Sequence, residues 1–88
     1  MLAQPVRVRP FDSHYPPEVC TTVNVSRRGL YFTTAAAHYF QGMGVFVARN
    51  FQPSDPMINE EVADIVRIEK LPGGRWGVAV RILSRTQY

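Results

Sequence analysis

Thr22-Val23-Asn24-Val25-Ser26-Arg27-Arg28-Gly29-Leu30-Tyr31-Phe32 is the stretch on which the reading of this chain turns. Apolar and polar residues alternate up to Val25 and again from Leu30, with the period of two that marks a half-buried β-strand. A Ser-Arg-Arg-Gly turn separates the two runs. The first run extends back to Glu18 and puts Val19, Val23 and Val25 on one face, so Thr22, Asn24 and Ser26 are expected on the opposite, outward face. Asn24 and Ser26 offer an amide and a hydroxyl that can hydrogen-bond a planar polar ligand, and Gly29 lacks the Cβ that would block its approach. Asn, Ser and Gly are also ordinary turn formers, and Gly29 serves the backbone under either reading.

The same alternation recurs along the chain. Val6 and Val8 face one way and Arg7 and Arg9 the other, until Pro10 breaks the run. Residues Asp12 to Pro17 are rich in turn formers. Leu30 and Phe32 are expected inward, with Tyr31 and Thr33 outward. Ala35 to Phe40 reads as a short helical turn or a connector, and Gly42-Met43-Gly44 leads into a fourth run, Val45 to Phe51. Pro53 and Pro56 bracket a loop at Ser54 and Asp55. The β-branched content of Val62 to Leu71 favours a fifth strand over a helix. Leu71-Pro72-Gly73-Gly74-Arg75 is a hairpin turn, and in a sixth run, Trp76 to Leu83, Trp76, Val78, Val80 and Ile82 alternate with small or basic residues. Six short strands with breaker-rich connections predict an all-β fold, an antiparallel barrel or tightly curled sheet, with no long C-terminal helix.

An 88-residue chain is expected to form a single domain, 1–88. At this size it buries only about 60–65% of its unfolded surface, so the core is thin. Cys20 is the one cysteine, so no internal disulfide framework exists. It is read as a small packing residue rather than a reactive thiol. Cys20, His14 and His38 show no repeating metal-ligand spacing, so no metal site is expected. Nor does a catalytic motif join either histidine to Ser26 or Cys20, and the chain is read as non-enzymatic. Net charge is +3, with nine arginines and one lysine. That excess is too small to argue for duplex DNA binding, whereas guanidinium groups suit phosphates and guanine edges. The start has neither a basic nor an apolar leader region, and no apolar run approaches the ~20 residues of a membrane span. A cytoplasmic protein without membrane insertion is expected.

Asn24-Val25-Ser26-Arg27-Arg28-Gly29 also carries a family resemblance. It is similar to the Asn/Asp-x-Ser-x-x-Gly signature of PilZ domains, bacterial receptors for cyclic di-GMP. Pro5-Val6-Arg7-Val8 resembles the family's first strand, Gly42-Met43 a recurring segment before a strand, and Ile65 to Ile68 with Gly74 to Leu83 its closing hairpin. The resemblance implies a six-stranded antiparallel β-barrel of PilZ type. It implies a regulatory, second-messenger role with no chemical step. Asn24, Ser26 and Gly29 would form the nucleotide site, with Arg27 and Arg28 flanking it to reach a phosphate. No separate cofactor is implied, and the signal would pass to a protein partner or a neighbouring domain.

The family's other signature, an Arg-x-x-x-Arg ahead of the first strand, has no counterpart in Met1 to Gln4. Arg7 and Arg9 are two apart and lie within the strand, and Arg81-Ile82-Leu83-Ser84-Arg85 has the spacing but sits on the last strand. Either the chain starts downstream of that segment, or the domain is a degenerate PilZ-like module that acts through protein contacts. A third reading is a small nucleic-acid-binding β-barrel, drawn from Tyr31, Tyr39, Phe40, Phe46, Phe51 and Trp76. Most of these aromatics fall at expected core or interface positions, so DNA and RNA are not the expected partners.

Overall fold

The computed structural model describes residues 4–49 and 59–85. Its strands are β1 (Pro5–Pro10), β2 (Glu18–Val25), β3 (Gly29–Thr34), β4 (Gly44–Arg49), β5 (Glu61–Leu71) and β6 (Arg75–Arg85). They close into an antiparallel barrel in the order β1-β2-β3-β6-β5-β4, with β1 paired to both β2 and β4. The expected all-β, six-stranded barrel is therefore the fold. Among the described residues the only helical element is the 3-10 turn Pro72–Gly74 between β5 and β6. Gly73 and Gly74 there adopt φ of 77° and 74°, a left-handed conformation that glycine accepts without strain. The expected loop around Pro53 and Pro56, and the end of the fourth run at Phe51, lie outside the described residues.

Alternation fills the barrel interior with Val6 and Val8 from β1, Phe32 from β3, Val45 and Val47 from β4, Ile65 from β5 and Val78 from β6, each 1% exposed or less. Residues 35–43, read as a helical turn or a connector, are an irregular connector between β3 and β4. Their Tyr39 and Met43 join the core, and Tyr39 packs edge-on against Phe32 with ring centroids 5.6 Å apart.

Strand β2 departs from the expected facing. Val19 and Val23 are 56% and 58% exposed, whereas Cys20 and Thr22 are buried. The polar Thr22 can go inside because its hydroxyl is satisfied: it donates to the Gln4 carbonyl at 3.0 Å and accepts from the Gln4 N–H at 3.1 Å. A β-bulge between Thr22 and Asn24 then resets the phase. Val23 is the extra residue, so both it and Asn24 face outward, while Val25 packs partly against the core. Asn24 thus reaches the expected face by a bulge and not by simple alternation. Strand β5 repeats the device: a register shift between Ile65 and Arg67 leaves Val66 unpaired and turns Arg67 out.

Candidate functional site

The two bulges define one line across the barrel surface. Asn24 on β2 is opposite Tyr31 on β3, Tyr31 is opposite Ala79 on β6, and Ala79 is opposite Arg67 on β5. Each polar end of this four-strand row directly follows a bulge. An open cleft of about 480 Å³ lies along it, lined by these four residues together with Ser26, Gly29, Leu30 and Glu69. The structure therefore brings Asn24, Ser26 and Gly29 to one cleft. Arg27 and Arg28, the flanking cations of the motif, are exposed on the turn but do not line it.

The β2–β3 turn is held from several sides. Ser26 donates its backbone N–H to the Gly29 carbonyl at 2.8 Å, and its hydroxyl to the same oxygen at 3.3 Å. The Arg28 carbonyl accepts from the Ile82 N–H at 2.8 Å. Arg49 donates from Nη1 to the Ser26 carbonyl at 2.7 Å, while its Nε and Nη2 grip Glu61 at 2.7 and 2.9 Å. This fork ties the turn to β4 and β5. A Cβ at Gly29 would lie 2.6 Å from the Val80 carbonyl oxygen. Glycine is thus required here for close pairing of β3 with β6, whatever ligand lies outside.

The far side of the cleft was not foreseen from sequence. Tyr31 crosses the central strand β6 to donate its hydroxyl to Glu69 Oε1 on β5. It can do so because β6 presents the small residues Gly77 and Ala79 where the ring crosses: a Cβ at Gly77 would fall 1.7 Å from the Tyr31 oxygen. The bond to Glu69, helped by desolvation, raises the Tyr31 pKa, so the hydroxyl stays a donor. Arg67 stands over the Tyr31 ring at 6.0 Å, within cation–π range. Its Nη2 is 4.0 Å from Glu69 Oε1, and its side chain is 64% exposed. Other arginines are held more closely: Arg9 by Glu60 at 2.6 Å, Arg49 by Glu61 at 2.7 Å and Arg81 by Asp64 at 2.8 Å. Arg67 is thus the loosely held cation of the cleft. The sequence signal for this half was the pair of small residues, Gly77 and Ala79, at the outward positions of β6.

The candidate reactive groups lie elsewhere. Burial, reinforced by Glu18, pushes the Cys20 thiol up to about 12, which removes it as a nucleophile at neutral pH. His14 sits on an exposed loop beside Asp12 at 2.8 Å. His38 stacks on Tyr15 at 4.7 Å and tilts against Tyr39 at 4.2 Å. Among the described residues, no three His, Cys, Asp or Glu side chains cluster to hold a metal, and no helix is long and apolar enough to cross a membrane.

No family model and no curated protein matches this sequence. Among solved structures, the chain is similar to the inhibitor of motility MotI/DgrA of Bacillus subtilis, with a TM-score of 0.71 and 17% identity. The match covers 97% of this chain and 40% of that one, so the chain spans well under half of that protein's length. At this identity, the likeness shows that the two share a barrel fold.

Proposed function

We propose that this chain is a PilZ-type regulatory module whose surface cleft takes cyclic di-GMP, with no chemical step. The observation that carries the reading is the meeting of Asn24, Ser26 and Gly29 in one open cleft, continuous through Tyr31 with Arg67. The motif residues alone would describe a turn. Their convergence on a volume within the ~300–1,000 Å³ range of small-molecule sites supports a ligand. The shared fold with a protein named as an inhibitor of motility is in keeping with regulation. A receptor of this kind works in the cytoplasm and passes its signal to a protein partner or a neighbouring domain.

The family's paired upstream arginines are absent from Met1 to Gln4. A site without such a pair would lack two charge-assisted hydrogen bonds of roughly 1.5–3 kcal/mol each, an affinity loss of orders of magnitude. Arg67 supplies one cation within the cleft. The degenerate alternative, action through protein contacts alone, draws on the exposed Val19 and Val23 beside Asn24 on the outer face of β2.

Calorimetric titration of cyclic di-GMP into the chain and into Asn24→Ala decides between them. Asn24 is exposed and its side chain makes no hydrogen bond among the described residues, so its removal reads binding and not folding. Saturable binding that weakens by about ten-fold or more in Asn24→Ala is expected, the equivalent of about 1.4 kcal/mol. Binding unchanged in the variant would remove the cleft as the site, and no binding at all would favour the protein-contact reading.

A further inference from the structure

Among the described residues, Glu69 is the one carboxylate that lines the cleft. A ligand bearing phosphates gains nothing from a negative charge at its site, so the side chain calls for a different explanation. Its placement is built in detail. Tyr31 reaches over β6 to hold Oε1, and Gly77 leaves the space that lets the ring pass. Oε2 receives no hydrogen bond among the described residues, and the side chain is 47% exposed. A carboxylate fixed through one oxygen keeps acceptor sites on both. It therefore presents a row of acceptors and no donor.

The chemistry selects what such a row can read. The Watson–Crick edge of guanine carries adjacent donors, the ring N1–H and the exocyclic amino group, and both match a carboxylate. The same edge of adenine carries a donor beside an acceptor, and that acceptor would face a carboxylate lone pair. A site whose polar groups are left unpaired by the wrong ligand rejects it strongly. The surroundings suit a flat base. Ala79 puts only a methyl group into the cleft, and the Arg67 guanidinium stands over the neighbouring Tyr31 ring, where it can also stack on a base.

We propose that Glu69, positioned by Tyr31 across Gly77, is the residue by which the cleft selects guanine over adenine. The inference rests on the nucleotide reading of the cleft and adds the group that reads the base. Glu69 is the specificity residue, and Tyr31 is a positioning residue that acts through it.

The test is calorimetric titration of cyclic di-GMP and cyclic di-AMP into the chain, Glu69→Gln and Tyr31→Phe, with thermal melting of each protein as a check on folding. The unaltered chain is expected to favour the guanine dinucleotide by at least about ten-fold, since a good two-point base contact gives roughly that discrimination or more. Glutamine offers one acceptor and one donor, a pattern that fits adenine. Glu69→Gln should therefore lose cyclic di-GMP affinity, hold or gain cyclic di-AMP affinity, and bring the ratio to about one or below. Tyr31→Phe should lower the ratio less, because it frees Glu69 without removing it. If the chain binds cyclic di-GMP and Glu69→Gln keeps the same ratio, the selection role is overturned and the cleft reading stands. Equal binding of both dinucleotides by the unaltered chain has the same meaning. Binding of neither overturns the nucleotide reading and this inference with it.

Discussion

A methyl group added at Gly29 would meet the Val80 carbonyl oxygen at 2.6 Å, and one added at Gly77 would meet the Tyr31 hydroxyl at 1.7 Å. The shorter contact is the cheaper one. Val80's carbonyl belongs to the backbone of β6 and cannot move without disturbing the β3–β6 pairing, whereas Tyr31 is a side chain at the surface that can swing aside. Gly29→Ala is thus expected to cost about 1–3 kcal/mol in urea unfolding, the usual penalty of forcing atoms into a packed region. Gly77→Ala should leave stability within about 1 kcal/mol, yet break the Tyr31–Glu69 hydrogen bond. The readout is tyrosinate absorbance on alkaline titration: the raised Tyr31 pKa should fall back toward the ordinary tyrosine value in Gly77→Ala. An unshifted titration would show that Tyr31 is held by something other than Glu69. The need for glycine at 29 was legible in the sequence. Its cause was not, because the atom it avoids lies on a strand remote in the chain.

At the scale of the strand, the two bulges decide which side chains face the cleft. Val23 and Val78 are both valines in β-strands, but Val23 is 58% exposed and Val78 is fully buried. The same substitution should separate them. Val23→Thr is expected within about 0.5 kcal/mol of the parent, and Val78→Thr to cost about 1–3 kcal/mol, because its hydroxyl enters the core without a partner. Equal costs in denaturant unfolding would contradict the phase of β2. Alternation, joined by β-branched content for β5, located the strands. It fails within β2 because the apolar Val19 and Val23 face outward there, while Thr22 is buried through its two bonds to Gln4. The meeting of Asn24, Ser26 and Gly29 in one cleft was legible because their signal is local. Tyr31, Arg67 and Glu69 were not, because they meet only through the register of β3, β6 and β5, and a bulge at Val66 sets part of that register.

The whole barrel shares one core, so a proton bound inside it is felt as global stability. Cys20 ordinarily titrates near 9.0 and is raised to about 12 in the fold, chiefly by burial. Below about pH 9 both folded and unfolded chains keep the proton, and the full stability is present. Between 9 and 12 the unfolded chain releases it while the folded chain does not, so stability falls as pH rises through that window. The Tyr39 hydroxyl, raised by burial and by its bond to Glu18, acts with the same sign. The urea midpoint should therefore drop between pH about 8 and about 10.5, and drop less in Cys20→Ala. Identical slopes would show that Cys20 is not the titrating group. The strand order carries a further consequence. The cleft takes Asn24 and Tyr31 from the β2–β3 hairpin and Arg67, Glu69 and Ala79 from the β5–β6 hairpin, and the two hairpins are joined through the β3–β6 seam. Each hairpin can form locally, but the seam closes a long loop and belongs to the slower, non-local part of folding. A ligand lying across it binds only molecules in which that seam is shut. At a hundred-fold excess over its Kd it would add about 2.7 kcal/mol against opening, visible as slowed amide exchange along β3 and β6. A peptide spanning Thr22 to Phe32 would carry the whole motif but only one wall of the cleft, without the Arg67, Glu69 and Ala79 that face it across the seam.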